Sequence, residues 1–298
     1  SNIIKHDKKK YLSIKKKIKK FENIRLEGSD FKKGQIILKK GDLINSSDIL
    51  VLKTLGISKI KVKKKVKIVI FPTGNEITNK KNISPWQIRN ANGSYINALS
   101  KILPIHVIEK KILRDNDDQK FLKKLKICIK NKIDLIITIG GVSAGRYDFV
   151  PNIIKKYKRK FYFKNSKIRP GKPILFSKIN SNTAFFGLPG NPVSTVACFR
   201  FFVLPYIFKS TKHLGAKPIK AKLLNNFNKN KNFTRFIKGI LKISKNGTSE
   251  FKILNGQESY KIKPLSDSNA WGQLKDGKSF FKKGDIIDCH TTFGVNFL

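Results

Sequence analysis

The sequence predicts an α/β protein: a doubly wound, mostly parallel sheet with helices on both faces, followed by a small C-terminal β domain and preceded by a partial β/α segment. Between residues 66 and 210, short apolar strand patterns alternate with amphipathic helix patterns, which is typical of such sheets. Beyond Lys212 the pattern changes to short alternating strands separated by turns. A glycine pair follows the most apolar strand pattern, at the place where parallel sheets bind ligands. We therefore divide the chain into residues 1–62, 63–212 and 213–298.

The first segment predicts a few short elements. Lysine dominates the first twenty residues, and Tyr11, Ile14 and Ile18 recur at near-helical spacing, so we expect a short basic amphipathic helix. A solvated helix is the favoured interpretation, and a membrane-surface helix is the alternative. Three more elements follow: a strand over residues 34–41, a helix over residues 46–55 capped by Ser46 or Ser47 and ended by Gly56, and a strand over residues 57–62.

The middle segment is predicted to begin with a strand over residues 66–71. Capping residues and apolar faces predict four helices in this segment. Asn92 begins the first, which carries Tyr95, Leu99, Ile102 and Leu103 on one face, and Asp117 or Asp118 begins the second, which buries Phe121, Leu125 and Cys128. The third follows Asp148 and runs to about Tyr157, and Asn191 with Pro192 begins the fourth, over residues 193–203. The strands between them are residues 105–108, 135–139, 161–163, 173–176 and 183–186. The C-terminal domain is predicted to contain strands over residues 220–224, 234–243, 250–254 and 285–289.

The net charge of +45 would ordinarily indicate a nucleic acid or an anionic membrane as partner. However, only eight of the 64 basic residues are Arg, the residue that base readout favours. The Lys residues are spread over every segment together with abundant Ile and Asn, and all three have A/T-rich codons. We therefore attribute the charge to genomic base composition and expect no specific nucleic acid partner.

Cysteine and histidine give no sign of a disulfide framework or a metal site. Cys128, Cys198 and Cys289 lie far apart and form no C-x-x-C pair, and the four histidines show no ligand spacing, so we expect no permanent metal. No signal peptide is visible, and no window approaches the ~20 uninterrupted apolar residues of a membrane span. We therefore expect a cytoplasmic protein without a membrane partner. The sequence contains no Met and begins at Ser1, so we expect a fragment or a processed product.

Four loops are predicted to converge on the rim of the sheet, because each follows a strand or begins a helix: residues 72–76, 140–145, 169–173 and 188–192. Each contains glycine, which lets a ligand approach backbone N–H groups, and Arg169 and Lys172 add positive charge. Such a pocket suits a phosphorylated or oxyanion ligand. The acids among these loops would repel that ligand unless a cation such as Mg²⁺ lay between, and they are Glu76, Asp115 and Asp148. The residues therefore predict a metal-assisted transfer that involves a phosphate.

The same loops resemble those of one protein family. Four motifs occur in its order and spacing: Thr73-Gly-Asn-Glu-Ile, Gly140-Gly-Val-Ser-Ala-Gly with Asp148 three residues on, Pro170-Gly-Lys-Pro173, and Leu188-Pro-Gly-Asn-Pro-Val-Ser194. The family is that of the molybdopterin molybdenumtransferases, the bacterial molybdenum insertases related to the insertase half of gephyrin. The resemblance covers the chain from about Glu22 to its end.

The resemblance implies an enzyme that takes adenylated molybdopterin and molybdate, cleaves the adenylate with Mg²⁺, and releases molybdenum cofactor and AMP. Residues 63–212 would then be the molybdopterin-binding domain. Carried over by motif, Glu76, Asp115 and Asp148 match the acidic active-site positions, and Glu76 and Asp148 would hold the Mg²⁺. The substrate-binding positions carried over, or assigned here on physical grounds, are Thr73, Gly74, Gly140, Gly141, Ser143, Arg169, Lys172, Pro189, Asn191, Pro192 and Ser194. The expected donors to molybdate or phosphate oxygens are Ser143, Arg169, Lys172 and Ser194.

The chain departs from the family pattern at several positions. Asn75 stands where Asp is usual, Trp86 stands where Gly is usual, and Asn90 begins a triplet that usually begins with Asp. Asn165, beside Lys164, stands where Lys is usual. Family members also carry an N-terminal helical segment and most of another small domain, which line the pocket from the partner subunit, and this sequence lacks almost all of both. The resemblance thus implies a homodimer in the full-length family, small-molecule substrates, and contact with other cofactor-biosynthesis enzymes.

Four other interpretations compete with this one. Gly141-Val-Ser-Ala-Gly145 also fits the turn of a serine hydrolase, which needs a later acid and His, and only His213 and His290 follow it. The related adenylyltransferases that activate molybdopterin share the Gly-Gly-Val-Ser loop, but they have a single domain. A Lys-rich nucleic acid binder is the third. The most serious competitor is a truncated or decayed insertase-like protein that binds cofactor, or acts as a scaffold, without turnover.

Overall fold

The chain falls into two units, residues 1–51 and residues 52–298. The structure is a computed structural model that describes residues 2–6, 8–13, 16–142, 149–156, 161–212 and 215–292. The predicted site residues Ser143 and Asp148 and the predicted helix end at Tyr157 lie outside the described residues.

The predicted amphipathic helix at the N-terminus is wrong. Strands β1 (Asn2–His6) and β2 (Lys9–Ser13) form an antiparallel hairpin there. The backbone register pairs Ile4 with Tyr11 and Asn2 with Ser13. An isolated helix of this length is marginal in water, so pairing with the adjacent strand prevails.

Two further predicted strands are not strands in the structure. Residues 34–41 are interrupted by turns at Gly34 and Gly41, whose φ angles are 86° and 109°. Residues 57–62 form no ladder, and the side chain of Ile60 is 42% exposed. In both stretches apolar side chains such as Ile36 and Ile60 are exposed to solvent, so a strand there would have no buried face.

The predicted short helix is confirmed as α1 (Ser46–Thr54), but neither of the predicted serines is its cap. The side-chain oxygen of Asn45 accepts hydrogen bonds from the backbone N–H groups of Ser47 (2.8 Å) and Asp48 (3.1 Å). The Asp48 carboxylate in turn accepts from the N–H of Asn45 at 2.9 Å, which completes a capping box. Gly56, with φ of 73°, follows the last turn as predicted.

The second unit is built around the predicted sheet. Its first strands are β3 (Val66–Pro72), β4 (Ile77–Thr78), β5 (Ile88–Arg89), β6 (Ile105–Glu109), β7 (Leu135–Ile139), β8 (Phe161–Lys164), β9 (Ile168–Arg169), β10 (Leu175–Lys178) and β11 (Ala184–Leu188). Its helices are α2 (Ala91–Leu99), α3 (Asp118–Lys130), α4 (Phe149–Lys156), α5 (Pro192–Cys198) and α6 (Leu204–Thr211), with a π-helical turn (Phe199–Val203) before α6. The central sheet has the order β6-β3-β7-β11-β10-β8. Pairing is parallel from β6 to β11, whereas β10 is antiparallel to both of its neighbours.

Helices cover both faces of this sheet. Leu135 and Ile137 of β7 pack with the buried residues of α2, α5 and α6, and Ile136 packs with those of α3 and α4. All residues of β7 are buried, as expected for a parallel strand covered on both faces. The predicted buried face of α3 is confirmed by its buried residues, Phe121, Leu125 and Cys128.

The helix α2 begins and ends earlier than the sequence predicts. Its N-cap is Asn90, and Asn92 lies within the helix, where its side-chain amide donates to the carbonyl oxygen of Gly190 at 2.7 Å. The helix ends at Leu99, so Ile102, which is 44% exposed, does not belong to its buried face. Asn92, which the sequence predicts as the N-cap, therefore forms a hydrogen bond to another loop instead.

The predicted helix after Asn191 is confirmed and is longer than expected, since α5, the π-helical turn and α6 are continuous over Pro192–Thr211. By length and composition (mean hydropathy 1.3) this stretch could cross a membrane, although Arg200 and Lys209 interrupt its apolar residues. However, 67% of the window is buried inside the protein, as in the core helix of a globular fold.

The C-terminal part contains a small barrel. Its strands are β12 (Ile219–Leu223), β13 (Phe227–Asn228), β14 (Thr234–Ile243), β15 (Ser249–Ile253), β16 (Ala270–Leu274), β17 (Phe280–Phe281) and β18 (Ile286–Thr291), with a short helix α7 (Lys263–Asp267). The order β15-β12-β18-β16-β14, with β14 also paired to β15, closes the sheet, and β9 adds to β14 in parallel. The four predicted strands are present. Our prediction omitted β16 because Gly272 interrupts its pattern, but a Cβ atom there would lie 2.8 Å from the Phe251 ring.

Aromatic side chains hold the barrel against the helix that follows residues 188–192, which we call the proline loop. The rings of Phe201 and Phe236 are stacked with centroids 3.7 Å apart, and the edge of Trp271 packs against Phe201 at 6.1 Å. Beside them, Nε of Arg200 donates to the carbonyl oxygen of Thr291 at 2.7 Å. These contacts, together with the β9–β14 pairing, fix the barrel relative to the central sheet.

Replacing Phe201 with Ala should therefore lower the free energy of unfolding by about 3 kcal/mol, since it removes a ring packed between the two parts. Chemical denaturation followed by tryptophan fluorescence measures the change. The matched control is Phe280→Ala, at an exposed ring, which should cost less than about 1 kcal/mol. Equal losses in the two variants would contradict this assignment.

Candidate functional site

The strands β3, β7 and β11 end at the same edge of the sheet. Pro72 and Leu188 both pair with Ile139, the last residue of β7. The carbonyl oxygen of Ile139 then accepts hydrogen bonds from the backbone N–H (2.9 Å) and hydroxyl (3.1 Å) of Thr73. The N–H of Gly140 donates to the carbonyl oxygen of Leu188 at 2.9 Å. The loops that follow the three strands are therefore joined where they begin.

The first glycine of the central loop lies directly against the Thr73 backbone. Gly140 has φ of 94°, and a Cβ atom there would lie 2.6 Å from both the carbonyl and the hydroxyl oxygen of Thr73. On its other side, a Cβ atom at Gly190 would be 3.6 Å from the Cα atom of Gly140. Gly141 also has a positive φ of 67° and lies near Thr73. Only glycine fits at position 140, so this rim consists of backbone in close contact.

The proline loop carries an unsatisfied polar atom to this rim. Asn191 has extended backbone and is the N-cap of α5, with Pro192 at the first helical position, as predicted. The hydroxyl of Thr195 donates to the carbonyl oxygen of Pro189 at 2.6 Å and so fixes the loop. The side-chain oxygen of Asn191 is buried and accepts no hydrogen bond within the described part of the chain. Such an oxygen is costly unless a ligand donates to it.

The remaining residues of this loop are less accessible. Pro189 and Ser194 are buried, and Ser194 is only 6% exposed. A crevice of about 30 Å³ lies beside them, lined by Pro72, Ile77, Ile88, Arg89, Asn90, Ala91, Asn92, Ile139, Gly190 and Pro192. It has room for about one water molecule, so a larger ligand would lie across the rim rather than within it.

Of the predicted acids, Glu76 lies on the loop after β3, and Asp115 lies on the segment between β6 and α3, next to that loop. Glu76 is exposed, and its carboxylate folds over Gly74, where a Cβ atom would lie 2.5 Å from one carboxylate oxygen. Asp115 is half-buried, and its N–H donates to the side-chain oxygen of Asn75 at 3.3 Å. Two carboxylates therefore flank Asn75, the residue that departs from the family pattern.

Arg114 organises the same loop and was missed in the sequence. One guanidinium nitrogen, Nη1, donates to the carbonyl oxygens of Gly74 (3.1 Å), Asn75 (2.9 Å) and Ile77 (3.0 Å). The sequence signal was its position directly before Asp115, in a chain with few arginines. This cation therefore holds in place the loop that carries Glu76.

The described residues fit Mg²⁺ only as part of a complex with a ligand. No group of three His, Cys, Asp or Glu side chains that could hold a metal occurs within the described residues. Mg²⁺ commonly binds through one or two carboxylates together with substrate phosphates and water, and Glu76 and Asp115 offer oxygen ligands of that kind. The third predicted acid, Asp148, lies outside the described residues.

Arg169 and Lys172 lie beside the first turn of α5, on the side of the barrel, where a Cβ atom at Gly171 between them would be 3.7 Å from the carbonyl oxygen of Ser194. The guanidinium carbon of Arg169 is 4.9 Å from the centre of the Phe233 ring, and Nζ of Lys172 is 5.9 Å from it. The cleft at this place, which we call the basic cleft, has a volume of about 230 Å³ and is lined by Arg169, Phe227, Asn228, Lys229, Asn230, Phe233 and Arg235. Arg235 is a second residue that was missed in the sequence. Its Nε is buried without a hydrogen-bond partner among the described residues, and its Nη2 donates to the carbonyl oxygen of Gln257 at 2.9 Å.

The electrostatics of this cleft favour an anion. Burial lowers the pKa of the Arg235 guanidinium, and the positive charge of Arg169 lowers it further. Two neighbouring cations, one of them with an unused donor, are stabilised by a bound oxyanion.

The loop that carries these cations packs on the helix that begins at the rim. A Cβ atom at Gly171 would lie 2.5 Å from Sγ of Cys198 in α5, and that thiol donates to the carbonyl oxygen of Gly171 at 3.5 Å. The structure thus brings Thr73, Gly140 and the proline loop together at the rim. It places Arg169 and Lys172 at the basic cleft, with α5 connecting the two places.

Comparison with known proteins identifies the family. Residues 69–209 match the family described as "Probable molybdopterin binding domain", and residues 220–291 match the "MoeA C-terminal region (domain IV)". The molybdopterin molybdenumtransferase of Staphylococcus epidermidis is 35% identical over 292 residues, which cover 96% of this chain and 68% of that protein. The chain belongs to the molybdopterin molybdenumtransferase family. Staphylococcus aureus has a relative of the same name that is 33% identical over 280 residues, covering 93% of this chain and 66% of the relative.

Solved structures agree on the fold. The molybdopterin biosynthesis moeA protein from Pyrococcus horikoshii superimposes with a TM-score of 0.71 at 24% identity, covering 88% of this chain and 63% of that one. A molybdenum cofactor biosynthesis protein from Pyrococcus furiosus gives a TM-score of 0.66 at 24% identity, covering 88% and 81%. The structures confirm the predicted fold class. The predicted family is confirmed as well, and it is one of transferases in molybdenum cofactor biosynthesis. The chain spans about two thirds of the length of the curated relatives.

The close contact at the rim can be tested with a pair of glycine variants. Gly140→Ala should lower the free energy of unfolding by about 3 kcal/mol, because it adds a clash with Thr73 to the strain of a positive φ. The control Gly247→Ala has a similar φ of 80° and nothing within 4 Å of its added methyl group, so it should cost about 1 kcal/mol. Thermal or urea denaturation compares the two, and an equal cost would show that no close contact exists at position 140.

Proposed function

We propose that this protein inserts molybdate into adenylated molybdopterin and releases AMP. The observation that supports the proposal most directly is the close contact of Thr73, Gly140 and Gly190 at the ends of three parallel strands. This is where such sheets bind phosphorylated ligands, and the chain belongs to a family whose relatives are named molybdopterin molybdenumtransferase.

The rim would bind the molybdopterin part of the substrate. The backbone N–H groups of Thr73, Gly74 and Gly140 donate to carbonyl oxygens of the sheet edge, so these residues would shape the surface that the ligand meets. The N–H of Gly141 would bind a phosphate oxygen. The buried side-chain oxygen of Asn191 would accept a hydrogen bond from an N–H of the pterin, which would satisfy an atom that has no partner among the described residues. Pro189, Pro192 and Ser194 would shape the loop around it. Ser143 remains assigned by motif alone.

The acids would serve the adenylate. Glu76 and Asp148 would hold Mg²⁺ against the phosphates, and Asp115 would contribute a further carboxylate. When bound, Mg²⁺ would supply positive charge that stabilises the negative charge developing on the phosphate oxygens during cleavage. The Arg114 contacts to three carbonyl oxygens would keep the Glu76 loop in position for this role.

The basic cleft would bind molybdate. This tetrahedral dianion suits a pair of guanidinium groups and an ammonium group, here those of Arg169, Arg235 and Lys172. Both arginines line the cleft, so their positive charges would attract an oxyanion there. We further propose that the protein is cytoplasmic, that it dimerises as its full-length relatives would, and that it contacts other cofactor-biosynthesis enzymes.

The proposal is tested by calorimetric titration with adenylated molybdopterin, with and without molybdate and Mg²⁺, followed by measurement of AMP. We expect saturable binding, and AMP release that requires both molybdate and Mg²⁺. Binding without AMP release would instead select the decayed or scaffold interpretation. The absence of any binding would contradict both.

A variant of the exposed acid sharpens this test. Glu76→Gln should reduce AMP release about 100-fold, because it removes a charge that holds the metal at the phosphates, and it should leave Mg²⁺-free binding unchanged. The matched control is Glu250→Gln, at a carboxylate in a surface ion pair with Lys242 on the barrel. The control should retain full AMP release, and equal behaviour of the two variants would remove Glu76 from the proposed site.

A further inference from the structure

The barrel contains a buried lysine whose ammonium group is bound only by backbone. Lys238 of β14 is 1% exposed. Its Nζ donates to the carbonyl oxygens of Gly256 (2.9 Å), Glu258 (3.3 Å) and Lys261 (3.1 Å). No carboxylate forms an ion pair with it among the residues that the structure describes. A lysine side chain is rarely buried in this way unless its ammonium group is paired or hydrogen-bonded.

The three carbonyl oxygens require the charged form of this lysine. An ammonium group has three N–H donors, whereas the neutral amine has only two. Burial lowers the pKa of Lys238 to about 8, with a smaller contribution from the charge of Arg235, while Glu258 opposes the shift. The side chain is therefore mostly charged at neutral pH, and all three hydrogen bonds are available.

These bonds fix one short segment, residues 256–261, which we call the carbonyl loop. A second set of contacts ties the same loop to the same strand position. The side chain of Gln257 accepts from the N–H of Lys238 at 2.9 Å and donates to its carbonyl oxygen at 2.8 Å. Gln257 also donates to the carbonyl oxygen of Leu254 at 2.7 Å. The backbone and the side chain of Lys238 thus hold the carbonyl loop together.

The carbonyl loop in turn holds a guanidinium group at the basic cleft. The carbonyl oxygen of Gln257 accepts the hydrogen bond from Nη2 of Arg235. Arg235 lines the basic cleft on one side and, on the other, a second cleft of about 430 Å³ that Gly256, Gln257 and Glu258 help to line. If the carbonyl loop moved, the guanidinium group would have space to turn away from the basic cleft.

We propose that Lys238 is a positioning residue that acts through the carbonyl loop to hold Arg235 toward an oxyanion in the basic cleft. This inference rests on the proposed function, because the oxyanion is taken to be molybdate. Lys238 does not touch the ligand itself. Its contribution is to keep the carbonyl oxygen of Gln257 where it holds the Arg235 guanidinium group beside the basic cleft.

The test is a double-mutant cycle on the full chain, with molybdate as the probe and calorimetry as the measurement. Lys238→Met should weaken molybdate binding about tenfold in the wild-type background. In an Arg235→Met background the same change should have less than about a twofold effect, because the group through which Lys238 acts is gone. Lys238→Arg, which retains a charged donor, should restore most of the affinity. The control Lys242→Met, at an exposed position of the same strand, should change nothing.

Hydrogen exchange of residues 254–262, measured by mass spectrometry, separates the possible failures. Faster exchange in Lys238→Met, together with the non-additive affinities, supports the inference. An equal loss of affinity in both backgrounds would overturn it, and so would unchanged exchange in this segment. If wild-type protein bound no molybdate, the proposed function of the cleft would fail, and the inference with it, whereas exchange would still show whether Lys238 holds the carbonyl loop.

Discussion

The contact between the backbone of Thr73 and that of Gly140 is the constraint on which the rest of the candidate site depends. It exists because β3, β7 and β11 are parallel and end in register, so that their loops begin at one point. The hydrogen bonds from Thr73 to Ile139 and from Gly140 to Leu188 then leave no room for a side chain at the first glycine. The proline loop lies at the same point, and α5, which follows this loop, connects the rim with the barrel.

A second theme is how this very basic protein binds the cations that hold its loops in place. With 64 basic and 19 acidic residues, carboxylate partners are scarce. Arg114 binds carbonyl oxygens of the loop after β3, Arg200 binds that of Thr291, and Lys238 binds those of the carbonyl loop. Hydrogen bonds to backbone satisfy these cations without neutralising them, so positive charge remains available to an anion. Most of the positive charge in the composition is spread over the chain, whereas these three cations are fixed by hydrogen bonds to backbone carbonyl oxygens.

The sequence predicted the central sheet and the rim loops well because both depend on local signals. Buried β-branched runs, Gly140 with its successor, and Asn191 followed by Pro192 each have a direct structural meaning. The prediction failed where tertiary contacts decide. The lysine-rich N-terminus forms a hairpin because its two strands pair with each other, and Asn92 donates to the carbonyl oxygen of Gly190 instead of capping a helix. Gly272 lies in a strand because the Phe251 ring occupies the space where a Cβ atom would be. Arg114, Arg235 and Lys238 were missed because their partners are backbone carbonyls, which no sequence pattern reveals.

The most direct test of the account is a titration of glycine-labelled protein with adenylated molybdopterin, observed by ¹⁵N NMR. The amide signals of the rim glycines should shift saturably, and these are Gly74, Gly140, Gly141 and Gly190. The signals of Gly247 and Gly277, which lie in turns of the barrel, should stay in place. Unchanged rim signals at a ligand concentration that saturates binding, with shifts at the distant glycines instead, would contradict the placement of the ligand at the ends of the parallel strands.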